Sequence, residues 1–140
     1  MAEYHYGEKS QTNLSQCHLD IQRVFNEAIK HRDTSITCGR RGKPTQNKLF
    51  ADGKTKVQYP DSYHNAEFPE LADAVDAIPY PTTQADWENR EYWVEWSSWI
   101  KGLATGMGIT LVSGFDWDND YELDDQSFFD GPHFQRTERT

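Results

Sequence analysis

Apolar residues follow a helical period in two long stretches of the chain. In the first, residues 14–29, one face collects large apolar side chains, and Ser10 or Thr12 can cap the helix. In the second, Thr83 and Asp86 open a pattern with spacings of three and four, which loosens where glycines become frequent. The apolar positions are Leu14, Ile21, Val24, Phe25, Ala28 and Ile29 in the first stretch, and Trp93, Trp96, Ile100, Leu103 and Met107 in the second. We therefore expect two main helices that each pack on a core by one face.

Short segments rich in β-branched or alternating residues predict strands between and after these helices. Residues 72–78 alternate small apolar with acidic side chains, which is typical of a strand with one buried face. A short helix is expected over 44–51, because Pro44 suits a first helical turn, and residues 54–70 follow no period. The predicted strands are 35–38, 72–78, 109–112 and 132–135. This order of elements predicts an α+β domain with a small antiparallel sheet and flanking helices.

Length, charge and composition favour a single domain that binds neither nucleic acid nor membrane. The chain has 140 residues, enough for a single modest core, so we expect one domain over 1–140. Its net charge of −9 leaves no basic footprint for nucleic acid or anionic lipid. No apolar run approaches the roughly 20 residues of a membrane span, and the first residues lack a signal-peptide pattern. We expect a monomer, made in a cytoplasm. The 14% aromatic content suits both a core and a ligand groove.

The two cysteines, Cys17 and Cys38, do not form a recognisable framework. They are too few for a disulfide scaffold, and neither belongs to a zinc-binding Cys-x-x-Cys pair. We expect both to be reduced, small and buried, with a disulfide between them as the alternative.

Histidine and aspartate side chains from separate parts of the chain could together form a catalytic zinc site. Three neutral or anionic ligands with one open position define such a site. His64 precedes the strand that carries Asp76, and His133 begins the last strand, so the three would converge if these strands are neighbours. Zinc would lower the pKa of water from about 15.7 to roughly 7, Asp130 could take the proton as general base, and Arg41 could hold a substrate carboxylate. Solvated loop histidines and a plain turn at Asp130 are the alternative.

Two further features, His18 and the acidic run before Asp130, each have a structural interpretation without catalysis. We expect His18 to be a packed or hydrogen-bonded residue rather than a ligand. Residues 116–122 begin like an EF-hand loop, but glycine is missing at the sixth place and Ser127 replaces the last glutamate. A looser calcium site that orders the loop before Asp130 and a solvated acidic loop both stay open. The candidate calcium ligands are Asp116, Asp118, Asp120 and Glu122.

Three short motifs together resemble the signature of a known peptidase family. Ser62-Tyr63-His64, Ala74-Val75-Asp76 and Asp130-Gly131-Pro132-His133 match a Ser-x-His, Ala-x-Asp, carboxylate-x-x-His pattern. This pattern is similar to that of the metallopeptidases that cut peptides containing D-amino acids. They comprise the VanY-type D-Ala-D-Ala carboxypeptidases and the phage L-alanyl-D-glutamate peptidases. The resemblance covers roughly residues 7–135, and the segment Ala77-Ile78-Pro79-Tyr80 is similar to the phage branch in particular.

The resemblance implies a fold, a metal and a substrate. The fold would be that of the zinc D-Ala-D-Ala metallopeptidases, which Hedgehog-type proteins share. His64, Asp76 and His133 would bind zinc, Asp130 would be the catalytic base, and Arg41 would position the substrate. The activity would be hydrolysis of the L-Ala-D-Glu bond of peptidoglycan stem peptides. It would cause lysis by a phage endolysin that has no separate wall-binding domain and reaches the periplasm and cell wall after holin-type release.

Two departures and two alternatives accompany this resemblance. The loop between His64 and Asp76 is longer than in the shortest versions of the motif, which loops tolerate cheaply. Gln135 stands where a glutamate is frequent, so a hydrogen bond behind a metal ligand is expected to differ. Asp73 is expected on the strand face opposite Asp76, with a structural role. A D-Ala-D-Ala carboxypeptidase and a non-catalytic zinc-stabilised binding module remain the alternative functions, although a structural zinc site needs no general base.

Overall fold

The computed structural model describes residues 3–117, 119 and 130–140. Nine elements are present in this part of the chain. The helices are α1 (Glu8–Ser15), α2 (Leu19–Ala28), α3 (Lys43–Ala51), α4 (Gln84–Trp87) and α5 (Arg90–Gly106). The strands are β1 (Thr34–Cys38), β2 (Ala74–Pro79), β3 (Leu111–Gly114) and β4 (Asp130–Arg136). Each predicted strand and the predicted short helix therefore has a counterpart, with boundaries that differ by one or two residues at most ends.

The four strands form one antiparallel sheet in the order β1-β2-β4-β3. One face of the sheet packs against α2 and α5. The ring of Phe134 in β4 lies 5.8 Å from that of Phe25 in α2, and Nε1 of Trp96 in α5 donates to the carbonyl oxygen of Ala77 at 3.0 Å. Because side chains alternate along a strand, the neighbours of these core residues, Asp76 and His133, face the other side.

The first predicted helix is interrupted, and the reason lies elsewhere in the chain. Between α1 and α2 the backbone pairs with Ala72: Ala72 N donates to Gln16 O at 2.8 Å, and His18 N donates to Ala72 O at 2.8 Å. His18 then begins α2 as its N-cap, with Nδ1 accepting from Asp20 N at 3.0 Å. The expectation that His18 is hydrogen-bonded is confirmed, whereas a continuous helix from Ser10 or Thr12 to Ile29 was wrong.

The second predicted helix is also two helices. Thr83 caps α4 as expected, through a reciprocal pair of hydrogen bonds with Asp86. The chain then leaves the helix, and the side chain of Asn89 accepts from Glu91 N at 3.1 Å to cap α5 separately. None of the helices in the described part of the chain is long and apolar enough to cross a membrane.

Candidate metal centre and catalytic site

Three chemistry-bearing residues lie side by side across the sheet. Cys38 of β1 is in register with Asp76 of β2, and Asp76 is in register with His133 of β4. Oδ1 of Asp76 lies 3.4 Å from Nδ1 of His133. The register between β1 and β2 shifts after Ile36, where a bulge leaves Thr37 without a Cα partner and brings Cys38 opposite Asp76. The alignment of Cys38, Asp76 and His133 therefore depends on how three separate strands pair, which no single sequence segment determines.

His64 reaches the same centre from the loop before β2. Its ring is 1% exposed, and its backbone is fixed on both sides: His64 N donates to Ser62 Oγ at 3.1 Å, and Arg41 N donates to His64 O at 2.8 Å. Nδ1 of the ring donates to the carbonyl oxygen of Gly39 at 2.8 Å. The other nitrogen, Nε2, lies 3.2 Å from Oδ1 of Asp76. The hydrogen bond to Gly39 thus directs Nε2 toward the centre.

His133 is oriented by a neighbour on its own strand and by an aromatic ring. Nε2 of His133 donates to Oε1 of Gln135 at 2.7 Å, and the ring of Trp117 lies 5.0 Å away at an angle of 40°. Gln135, which stands where a glutamate was expected from the resemblance, therefore accepts this hydrogen bond from His133 with a neutral oxygen. Nδ1 of His133 is left to face Asp76.

Asp76 belongs to two clusters of possible metal ligands. One contains Cys38 and His64, and the other contains Asp130 and His133. Within each cluster the ligand atoms lie within 4.8 Å of one another. Sγ of Cys38 lies 3.8 Å from Nδ1 of His64, the nitrogen that already donates to a backbone carbonyl. Only Nε2 of His64 remains available beside Asp76. Nε2 of His64 lies 3.2 Å and Nδ1 of His133 lies 3.4 Å from Oδ1 of Asp76, so both predicted histidine ligands face this carboxylate. Two imidazoles and a carboxylate are the ligand types of a catalytic zinc site, and the binding of one ion by these three residues stays a prediction.

Asp130 reaches the centre because β4 is irregular at its start. In a regular strand residues three apart point to opposite faces, yet both Asp130 and His133 line the same cavity. The pairing between β3 and β4 changes from Ser113 opposite Phe134 to Gly114 opposite Asp130, so the intervening residues of β4 bulge. Gly114 permits this approach, because a Cβ there would lie 1.9 Å from the carbonyl oxygen of Asp130.

The charges at the centre shift the pKa values of its carboxylates in opposite directions. Burial disfavours ionised Asp76, but His64 and His133 outweigh burial and hold the pKa of Asp76 well below its usual range. Burial likewise disfavours charged His64, yet Asp76 and then Cys38 raise the pKa of His64 to about 10. Burial, and then the negative charge of Asp76, raise the pKa of Asp130. Asp76 is thus an anionic centre that attracts cations, and Asp130 is a stronger base than an ordinary surface aspartate.

Arg41 supports the centre from the side of β1. Its Nη2 lies 3.3 Å from Oδ2 of Asp76 and 3.5 Å from Sγ of Cys38, and its Nη1 donates to Oε1 of Gln46 at 3.1 Å. Gln46 is fully buried and also donates to the carbonyl oxygen of Val57 at 2.7 Å. The guanidinium is therefore held beside the carboxylate. Contact of Arg41 with substrate stays a prediction.

A cavity of ≈ 550 Å³ opens over the centre. Its lining brings together the predicted site residues Arg41, His64, Asp76, Asp130 and His133. The irregular segment after α3 contributes further lining, including Lys54, Lys56 and Val57. This volume suits a short peptide segment rather than a single ion or water.

The acidic run is described only in part. The carboxylate of Asp116 is 1% exposed, and its Oδ2 lies 3.1 Å from Nζ of Lys101 in α5. The other candidate calcium ligands, Asp118, Asp120 and Glu122, lie outside the described residues. Calcium binding by this run stays a prediction.

Comparison with known proteins identifies the family. The profile described as phage L-alanyl-D-glutamate peptidase matches residues 2–136, nearly the whole chain. The chain belongs to this family. Among six solved chains that match is the Serratia marcescens L-Ala D-Glu endopeptidase ChiX. The two are 24% identical with a TM-score of 0.68, over 95% of this chain and 90% of ChiX. No curated protein sequence matches significantly. The predicted peptidase family and α+β fold are confirmed.

Sequence reasoning missed two residues of this peptidase's centre. Cys38 was expected to be a buried hydrophobe, but it is only partly buried and touches His64 and Arg41. Burial raises the pKa of Cys38, but the hydrogen bond and charge of His64 outweigh it and lower the value overall. Trp117 was treated as part of the acidic run, although it packs on His133. Cys17 and Cys38 are both free thiols, as expected.

Proposed function

We propose that this family member is a zinc-dependent endopeptidase that hydrolyses the L-Ala-D-Glu bond of peptidoglycan stem peptides. One observation carries the proposal. Nitrogen atoms of His64 and His133 lie 3.2 and 3.4 Å from the Asp76 carboxylate, and a second carboxylate, Asp130, lines the same peptide-sized cavity. This combines metal ligands with a base that a purely structural metal site does not need.

Nε2 of His64, the carboxylate of Asp76 and Nδ1 of His133 would hold the ion. Each imidazole is already oriented by a hydrogen bond from its other nitrogen, to Gly39 O or to Gln135 Oε1, as is usual for metal-binding histidines. Zinc bound there supplies Lewis acidity for the scissile carbonyl and for water. Two neutral imidazoles and one carboxylate leave one positive charge on the assembled site.

Asp130 acts as the general base in this proposal. It accepts a proton from the attacking water and delivers it to the leaving amine nitrogen, so that the amine departs neutral. The position of Asp130 supports both steps, because it lines the same cavity as the residues that would hold the ion and can therefore reach water and the leaving amine there. Arg41, beside Asp76, would orient a substrate carboxylate or carbonyl at the edge of the centre.

The biological role that follows is lysis of a bacterial host by a phage endolysin. The enzyme would be made in the host cytoplasm and would act on the wall after holin-type release. The peptide-sized cavity, with Lys54 and Lys56 in its lining, suits the anionic stem peptide. We propose a monomer that binds the stem peptide in its catalytic cavity.

Mass analysis of peptidoglycan digested by the zinc-loaded protein tests the function. The expected products carry new carboxyl ends on L-Ala and new amino ends on D-Glu, and a His64→Ala variant should give none. Release of D-Ala alone would make the protein a carboxypeptidase. Stoichiometric zinc without any new ends would leave only a binding module.

A further inference from the structure

A second cavity lies against Asp130 and is separate in character from the first. It has a volume of ≈ 380 Å³. We call it the aromatic pocket and define it by Trp87, Arg90, Trp93, Phe115 and Gly131, which line it together with Asp130. Nothing in the hydrolysis described above uses these aromatic residues. The aromatic pocket and the catalytic cavity are adjacent, since Asp130 lines both.

The aromatic pocket has a fixed floor and an open aromatic wall. Trp93 of α5 is 4% exposed and packs against Gly131, where a Cβ would lie 2.6 Å from the indole. Trp87 lies 4.7 Å from Trp93, centroid to centroid, but is 46% exposed. The guanidinium of Arg90 lies 5.9 Å from the Phe115 ring centre. The accessible apolar surface of the pocket is therefore mainly the Trp87 indole, which is tilted by 37° to Trp93, and the charged residues Glu88, Arg90 and Asp130 also line the pocket.

Such a surface suits a sugar ring better than a charged peptide. A pyranose has apolar C–H faces, which pack on an indole, and polar groups around its edge, which Arg90 and the neighbouring Glu88 could hydrogen-bond. Lys54 and Lys56 line the catalytic cavity and not the aromatic pocket, where the cationic Arg90 is accompanied by the acidic Glu88 and Asp130. The anionic part of a substrate is therefore better placed in the catalytic cavity, and an uncharged ring in the aromatic pocket.

The covalent structure of the substrate brings a sugar to this place. In peptidoglycan the amino group of L-Ala is amide-linked to the lactyl arm of N-acetylmuramic acid, so the linked sugar carries no charge. One residue and a short arm span on the order of 7–10 Å. If the bond after L-Ala is cut beside Asp130, the sugar must lie within that reach of Asp130. The aromatic pocket begins there.

We propose that the aromatic pocket binds the N-acetylmuramoyl ring attached to L-Ala, with Trp87 as its stacking residue. This inference rests on the proposed function and adds the direction in which the substrate lies across the site. The glycan side of the scissile bond lies toward α4 and the start of α5, and the D-Glu side lies toward the cavity that contains Lys54 and Lys56. The enzyme then recognises the junction of glycan and peptide rather than the stem peptide alone.

Paired substrates test the inference. The zinc-loaded enzyme is assayed on N-acetylmuramoyl-L-Ala-D-Glu peptides and on the same peptides with a plain N-acetyl group in place of the sugar. In the wild-type enzyme kcat/KM should favour the sugar-bearing substrate. In Trp87→Ala this preference should fall by roughly 3- to 10-fold, chiefly through KM. A Leu19→Ala variant, which removes an exposed apolar side chain of α2, should keep the wild-type preference.

The results of these assays distinguish failure of the proposed sugar site from failure of the proposed peptidase activity. A wild-type preference that Trp87→Ala leaves unchanged, or equal losses on both substrates, would overturn the sugar site. Cleavage of neither substrate by the wild-type enzyme would overturn the proposed function instead. A binding measurement on the wild-type protein does not depend on the folding of a variant. N-acetylmuramoyl-L-alanine amide, in which the lactyl arm is uncharged as in the substrate, should shift the indole N–H resonance of Trp87 in NMR spectra of the zinc-loaded protein. No shift of that resonance at millimolar sugar contradicts the inference.

Discussion

Asp76 and His133 stand directly opposite each other on β2 and β4, with Oδ1 of Asp76 3.4 Å from Nδ1 of His133. They are neighbours in the sheet although they are 57 positions apart in the chain. A metal held by this pair would tie together the two central strands. His64, at 3.2 Å from the same oxygen, would extend the tie to the loop before β2. Metal binding and stability are therefore expected to be coupled.

Replacing His133 should remove both metal and stability. His133→Ala loses a ligand nitrogen, so zinc content should fall well below one ion per chain, and the melting temperature of the zinc-loaded protein should fall as well. Zinc analysis and thermal unfolding with and without a chelator measure the two effects. His31→Ala is the matched control, because His31 is exposed and pairs only with Glu27 among the described contacts. Full zinc occupancy in His133→Ala would remove His133 from the ligand set.

Replacing Asp130 should stop turnover while leaving the metal in place. Asp130→Asn keeps the shape of the side chain but cannot take a proton from water, and general base catalysis is typically worth about 10²–10⁴ in rate. Zinc content and melting temperature should stay near those of the wild-type protein. Asp52→Asn, at an exposed carboxylate paired with Lys48, should keep full activity. A fall of less than tenfold in kcat for Asp130→Asn contradicts the assigned role.

Gly131 should tolerate no side chain. A Cβ at this position would lie 2.6 Å from Trp93, so Gly131→Ala forces the indole or the strand to move, at a cost of about 1–3 kcal/mol. The melting temperature should fall by roughly 3–12 °C, and activity should fall because Asp130 is adjacent. Gly102→Ala in α5 is the matched control, since nothing lies within 4 Å of its Cβ. That variant should be unchanged or stabilised by about 0.5–1 kcal/mol.

Asp73 should make stability depend on pH. Burial opposes its charge, but hydrogen bonds from Thr140 and Arg136 outweigh burial and lower the pKa of Asp73. A carboxylate whose pKa is lower in the folded protein stabilises it above the unfolded-state pKa, about 3.9, and this contribution is lost as pH falls further. Asp73→Asn should therefore be less stable than the wild-type chain at pH 7, and the difference should shrink by pH 3.

Urea unfolding of chelator-treated proteins at the two pH values measures this difference without a metal contribution. Asp52→Asn again serves as control, with an expected effect within about 0.5 kcal/mol at either pH. A difference for Asp73→Asn that stays constant from pH 7 to pH 3 would show that its charge does not contribute.

Local pattern in the sequence determined much of the fold. The apolar and acidic residues of 72–78 predicted a strand with one buried face, and in β2 Val75 and Ala77 belong to the core. The helical period around Phe25 and Trp96 identified the two helices that cover the sheet. These features depend on the order of apolar and polar residues within one element, so a single sequence contains them. The motifs that include His64 and His133 likewise placed both in one site.

Tertiary structure decided the features that depend on pairing between distant segments. The break before α2 exists because Ala72 hydrogen-bonds the backbone of Gln16 and His18. The bulge after Ile36 brings Cys38 opposite Asp76. The irregular start of β4, permitted by Gly114, turns Asp130 to the side of His133 although they are three residues apart. A bulge or a helix break is chosen by the partner that satisfies the backbone, and that partner lies far away in the chain.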